Sequence, residues 1–507
     1  MADRVRFFSL MICAVIASSL GGIGLATAQT MQDYEAMRSD IAEVYSDLLE
    51  RGPTIAHPSD ITDTIAHLTE RAAIPKAAAI SAQPAMSEIQ IELIDLRLGL
   101  VQLALAAGGN DQLTVVRAQS ATVPKIIVVQ SGAVDLETLR TWIAAQPEAY
   151  TMMDGNILKI PLLVLQSARL NLGQGDIIEL STAHGAFIVN LGVLVVDGAR
   201  MSATPQPNLN VPDFAPFLVT AGTGQAHLSN AVFEGLGFGD TAVFSGVSVV
   251  NRGLYPPIGQ SFLTNSVLRN IRVTTFEGGV APIIASNVFM GPNSTGLSMR
   301  QTSQADIVSN VFLGGGEGPA IRVMDGSTDS QISNNLAFNT AGTALFVTQG
   351  SHGTAIVGNL LWQSAGGGIS VNRSDCINLS NNIAIDSRRK GIELRTSRNS
   401  QIIANQLLGN QSSGLFIGDQ PVGTITTVRN NIFIGNRFGL SSASADKLSL
   451  FGNNFLNQFP RFLEGDLASQ SPQIVANLRG TERIELTAGG IEMFNIAPIT
   501  CQPRMEG

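Results

Sequence analysis

Seven side chains in the second half of this chain could hold a carboxylate and move a proton: Arg322, Asp325, Gln349, His352, Arg373, Glu393 and Arg395. A guanidinium grips a carboxylate through two parallel N–H···O bonds, which its planar fork does better than an ammonium. Histidine and carboxylate side chains are the usual general bases and acids. His352, in the stretch ALFVTQGSHG, is the only histidine after residue 227. It is therefore either the proton-moving group of a site or a turn residue in a scaffold, and the spacing around it bears on which.

That spacing is a repeat. Gly296, Ala320, Ala344, Gly368, Gly391, Gly414 and Gly439 follow one another at intervals of 24, 24, 24, 23, 23 and 25 residues. One position on stand Leu297, Ile321, Leu345, Ile369, Ile392, Leu415 and Leu440, and a later column reads Asn310, Asn335, Asn359, Asn382, Asn405, Asn431 and Asn454. A period in the low twenties with short alternating strands and an asparagine column predicts a mainly β chain folded as a parallel β-helix, each coil burying its apolar face against its neighbours. Leucine-rich repeats share the period but need an LxxLxL strand that is missing here. The asparagines are expected to be structural, since Asn tolerates the turn conformations and stacked amides bond to one another.

Residues one period apart stack roughly 4.8 Å from each other, so a site is built from outward positions of consecutive coils. Counted from the small residue, the outward positions are the second and fourth, with the fifth at the strand's end. This puts Arg322, Asp325, Arg373, Glu393 and Arg395 on one face. Residues 251 to 440 hold 13 Lys and Arg against 9 Asp and Glu, in a chain whose total is −9. A locally basic groove suits an anionic polysaccharide; the alternative is that these charges merely solvate an exposed strand face. A dense basic patch with stacking aromatics is missing, so a nucleic-acid partner is not expected. No ligand spacing for a metal or haem is present, and no cofactor is expected.

Residues 1–28 carry Arg4 and Arg6, an apolar run from Phe7 and then Ala26-Thr27-Ala28, which reads as a cleavable secretory signal and places the mature chain in a periplasm. No later run is long and apolar enough to span a bilayer. Residues 29–112 read as an α-helical region, a candidate docking element, with runs MQDYEAMRSDIAEVYSDLLERG, SDITDTIAHLTERA starting at a Ser59 cap, and SEIQIELIDLRLGLVQLALAAGG. His57 and His67 there read as structural. Residues 113–500 read as the β-helix, opening on runs such as LTVVRAQ and KIIVVQSG, with a helical insertion at VDLETLRTWIAAQ. After signal removal Cys376 and Cys501 remain; an oxidising compartment allows them to pair, but that would tie the far tail to a turn in the middle of the solenoid.

The run LKIPLLVLQSARLNLGQGDIIELSTAHGAFIVNLGVLVVDGARM, with DFAPFLVTAGTGQAHLSNAVFEGLGFGD and DSRRKGIELRTSRNSQIIANQLLGN, resembles the periplasmic mannuronan C-5-epimerases of alginate export over residues 125 to 420. The resemblance implies a right-handed β-helix and a proton inversion at C5 of a uronate: a cation neutralises the carboxylate, a base removes the α-proton and a proton returns on the other face. GISVNR is similar to the family's Gly-Ile-Ile-Val-Ser-Arg and would make Arg373 its arginine. The family's Asp-Pro-His-Asp is missing: in the coil before Arg373 its positions fall on Phe346, Val347, Thr348 and Gln349, and one coil earlier on Arg322, Val323, Met324 and Asp325. His184 and His227 lie too many coils away. His352 stands four residues beyond the base column and 21 before Arg373, which it reaches only if the turn folds back.

Three readings follow. The first is an epimerase- or lyase-like enzyme on an exported polyuronate, with Arg373 as clamp, His352, Asp325 or Glu393 as base, and Arg322, Asp325, Gln349, Glu393 and Arg395 binding substrate. The second is a non-catalytic β-helix that binds and escorts the polymer, its helical N-terminus docking to other export-assembly proteins. The third, a glycoside hydrolase, needs a carboxylate pair that Asp325, Asp329 and Glu393 do not obviously form.

Overall fold

The computed structural model describes residues 28–69, 75, 88–108, 112–119, 124–206, 213–239, 241–252, 257, 259–492 and 501. The expected signal, apart from Ala28, lies outside the described residues. The repeat winds into a parallel β-helix with three faces. Two of them branch from one strand, Leu162–Leu172, whose first half pairs with Ile188–Asn190 and whose second half pairs with Val193–Asp197. The first face then runs through Leu297–Arg300, Ile321–Met324, Thr343–Thr348, Gly367–Asn372, Ile392–Arg395 and Ser413–Gly418, in the register Leu297, Ile321, Leu345, Ile369, Ile392, Leu415. These are the columns expected from the spacing. Alternation sends Leu297, Ile321 and Leu345 into a continuous interior core, while Arg322, Phe346 and Ser370 point out.

The asparagine column lines the corner between the second and third faces. Each Nδ2 of Asn287, Asn310, Asn335, Asn359, Asn382, Asn405 and Asn431 donates to the Oδ1 of the next rung at 2.9–3.0 Å, and each rung is buried. The last rung is Asn453, not the expected Asn454, which instead opens the strand Asn454–Asn457.

Four helices close and cover the solenoid: α1 (Met31–Arg51), α2 (Leu96–Ala107), α3 (Leu136–Ala144) and α4 (Ser471–Ala476). α1 begins in a capping box between Thr30 and Asp33 and buries Tyr34, Met37, Ile41, Val44 and Leu48, a three-and-four spacing that makes one apolar stripe. The stripe packs on the outer side of the third face, against Val288, Val311, Leu336, Phe338, Leu360, Trp362, Ile385 and Leu408. Met31 lies beside Gly435 and Gly52 beside Met290. A 21-residue helix is ~31 Å long and the six coil steps between those points are ~29 Å, so α1 runs along the whole covered stretch. The helix expected as a docking element thus has its apolar stripe occupied by its own chain. α2 covers the first face of the opening coils through Leu96, Leu100 and Leu103, while α3 and α4 plug the two ends of the core. Among the described residues no helix packs on the first face from Leu297–Arg300 onward.

Three local expectations change. SEIQIELIDLRLG is not one helix: Gln90–Asp95 is a strand antiparallel to Lys125–Asp135, because Ile91 and Leu93 alternate with polar residues at period two before Asp95 caps α2. LTVVRAQ is not a strand: Gln112–Arg117 is helical, and Val115 is buried in the cluster beneath α2, packing outweighing β-branching. The expected Ser59 cap is not used: His57 caps the turn Pro58–Ile61, and Asp60 Oδ2 reaches back to accept from the Ala56 and His57 amides. The expected helical insertion at residues 134–146 is present as α3.

Candidate anion-binding face

The first face ends, in every coil, on a left-handed residue: Gln301, Asp325, Gln349, Arg373, Thr396 and Asp419 have φ between 47° and 56°. The strand stops there and the chain turns the first corner. Arg322, Glu393 and Arg395 therefore sit on the face, Asp325, Gln349 and Arg373 at its edge, and His352 beyond the edge.

Most of the charges on this face neutralise one another. The Arg300 guanidinium holds Asp325 through Nε at 3.0 Å and a terminal nitrogen at 2.7 Å. Arg252 pairs with the buried Glu277. In the later coils Glu393 accepts from Lys390 and from Arg395 Nε, both at 2.7 Å, and Arg395 also donates to Asp419 at 2.5 Å. The Phe416 ring sits under Lys390 and Arg395, 3.9 and 4.4 Å from its centroid. Burial acts to raise the Glu393 carboxyl, but the hydrogen bonds and charges of Lys390 and Arg395 outweigh it and hold it below the ordinary glutamate range.

Two guanidiniums escape this neutralisation. Arg322 is half-buried, its Nε has no hydrogen-bond partner, and it has no ion pair among the described residues; burial, with the neighbouring Arg300 charge, depresses its proton affinity. Arg373 is exposed and likewise unpaired among the described residues. They lie two coils apart, roughly 10 Å along the axis. Between them the outward residues on the face and edge are Met324, Phe346, Thr348, Gln349, Ser370 and Asn372, with one charge, the edge carboxylate of Asp325, which Arg300 holds.

His352 is aligned with Asp375 of the next coil, not with Arg373. The Asp375 N–H donates to His352 Nδ1 at 2.9 Å, and the Asp375 carboxylate is held by the Arg398 amide and guanidinium. With Nδ1 accepting, the neutral ring carries its proton on Nε2. The imidazole, 41% exposed, therefore offers an N–H outward and no free lone pair. His227 is buried and stacked on Phe262, and His184 bonds Ser181; neither approaches this face.

Pairing of opposite charges across adjacent coils is what column counting missed. Arg300 with Asp325 and Arg395 with Asp419 were both readable as neighbours one period apart. The structure also joins Cys376 and Cys501 in a disulfide, against the sequence-based objection to tying tail and turn. Ile491 bonds Gln420 and Val422, so the tail runs back along the coils it has passed, which the spacing alone did not reveal.

A family model described as right handed beta helix region matches residues 229–376, and one described as periplasmic copper-binding protein (NosD) matches residues 337–463. Among the described residues no three His, Cys, Asp or Glu side chains are grouped to hold a metal, and the two described cysteines are bonded to each other, so the described side chains form no such copper site. The mannuronan C5-epimerase of Pseudomonas aeruginosa is 29% identical over 323 residues, 61% of this chain and 60% of that protein. The mannuronan C5-epimerase AlgG of Azotobacter vinelandii is 28% identical over 325 residues, 61% of this chain and 62% of that one. The chain thus spans about three-fifths of the length of these curated relatives. The crystal structure of the periplasmic alginate epimerase AlgG matches with a TM-score of 0.59 at 18% identity, covering 75% of this chain and 92% of that one. In fold and in sequence the chain is a right-handed β-helix and a divergent relative of the mannuronan C5-epimerases.

Proposed function

We propose that the chain binds an anionic, carboxylate-bearing polysaccharide along the open part of its first face, in the periplasm, and escorts it without inverting it. The observation that carries this reading is Arg322, a half-buried cation with a bare Nε and no carboxylate partner among the described residues. Removing a charge from water without a partner is costly, so such a group is understandable where an anion from outside completes it. Arg373 offers a second carboxylate contact, with Gln349, Ser370 and Asn372 available to hydroxyls between. Inversion at C5 needs a base, and the three candidates are each engaged: Asp325 by Arg300, Glu393 by Lys390 and Arg395, and His352 by the Asp375 amide. Export-assembly proteins are the expected partners of an escort. A second reading, an epimerase- or lyase-like enzyme with Arg373 as clamp, is favoured by the names of its relatives.

Incubating the mature chain with polymannuronate in deuterated water separates the two. Under the escort reading the polymer binds, C5 shows no exchange by NMR, and no ultraviolet absorbance of unsaturated ends develops. Exchange or elimination that disappears in Arg373→Ala would establish the enzyme instead.

A further inference from the structure

The corner between the third and first faces carries its own left-handed column, Asn339, Gln363, Asp386 and Gly409, with φ of 50°, 54°, 56° and 61°. Here α1 lies over it. The Tyr34 hydroxyl donates to Asp386 Oδ1 at 2.6 Å, Arg38 Nε lies 2.9 Å from Asp386 Oδ2, and the Asn339 amide donates to the Tyr45 hydroxyl at 3.1 Å. Beside these contacts lies a cavity of about 350 Å³ whose lining includes Tyr34, Arg38, Gln363, Asp386, Arg388 and Gln411. That volume falls within the ~300–1,000 Å³ of small-molecule sites.

The lining names its ligand. The Gln363 and Gln411 amides and the Arg388 guanidinium have no side-chain partner among the described residues. Each amide presents a donor and an acceptor together, which suits neighbouring hydroxyls on a sugar ring. Arg38 and Arg388 set two positive charges against the one carboxylate of Asp386, so the cavity favours one negative charge in the ligand. We propose that this cavity is a second binding site, remote from the open face, for a single carboxylated sugar unit, its carboxylate on Arg388 and its hydroxyls on Gln363 and Gln411. The ligand class is read from the lining itself and does not depend on how the first face is used.

The test is hydrogen–deuterium exchange, with calorimetry, on the full mature chain and a mannuronate disaccharide as probe, against the neutral mannose disaccharide. The expected result is slowed exchange in peptides covering residues 386–411 and 31–45 with the acidic probe only. Arg388→Ala, at an exposed position, should weaken that protection at least tenfold while Arg322→Ala leaves it unchanged. Arg322→Ala reports the first face independently, so failure at one site is distinguishable from failure at the other. No protection at residues 386–411 in the native chain, protection that survives in the double variant Arg388→Ala/Gln363→Ala, or equal protection by the neutral disaccharide overturns the proposal.

Discussion

Arg322 combines burial with an unpaired charge, and that combination has opposite effects on stability and binding. Replacing a poorly compensated buried charge by an apolar side chain of similar length is often stabilising, by ~1 kcal/mol or more. Arg322→Met should therefore raise the denaturation midpoint while lowering affinity for polymannuronate at least tenfold; a midpoint that falls would mean Arg322 serves packing. Arg373 occupies a left-handed backbone position, which asparagine tolerates well. Arg373→Asn is thus the variant that removes the charge and keeps the corner, and weaker binding with unchanged stability is expected. At Glu393 the folded carboxyl lies below its ordinary value of 4.5, so its ion-pair cluster adds stability above that value and loses it as pH falls through the lower folded one. Glu393→Gln should destabilise the chain at pH 7, and the difference should shrink progressively as pH falls below 4.5, read as midpoints in urea along that series.

Among the elements, the repeat was legible because each coil repeats the same physics. One inward column and one buried amide per period suffice to specify the register, and Leu297 to Leu440 fell where counting put them. The asparagine ladder differs from the other columns in that each rung serves its neighbours. Removing the Asn359 side chain leaves the buried Asn335 N–H without its acceptor and takes one hydrogen bond each from the Asn335 amide, the Ile332 carbonyl and the Asn382 Oδ1. An unsatisfied buried group costs roughly 1–3 kcal/mol, so Asn359→Ala should lower stability by about 3 kcal/mol or more in denaturant titration, against a small effect for exposed Asn378→Ala. The site was less legible than the scaffold. Counting found the face and its arginines, but whether an arginine is free depends on side chains one coil away, and where His352 points depends on the corner's curl. The strand Gln90–Asp95 was overlooked because its six alternating residues run straight into α2 without a break in hydrophobicity.

For the whole molecule, α1 keeps the outer side of the third face dry. A chain lacking residues through Arg51 would expose Val311, Leu336, Phe338, Leu360, Trp362 and Ile385 as one apolar stripe. Such a truncation should self-associate, and light scattering beside the intact chain would reveal it; a monodisperse truncation would show the stripe to be tolerated. The bonded Cys376 and Cys501 suit an oxidising compartment. The mature chain should accordingly give no reaction with a thiol reagent until it is reduced.

The seat of α1 also sets an order of events. The Ala28 amide bonds Gln406 and the Gln29 carbonyl bonds Asn457, so residues made early rest on coils made much later. A solenoid can grow coil upon coil from its first turns, but this one has to wait for residues 406 to 457 before its helix can settle, closing a loop of more than 370 residues. Throughout that wait an amphipathic helix and the stripe it will cover are both uncovered. The chain should therefore be a slow folder whose apolar stripe stays uncovered until its beginning meets its end.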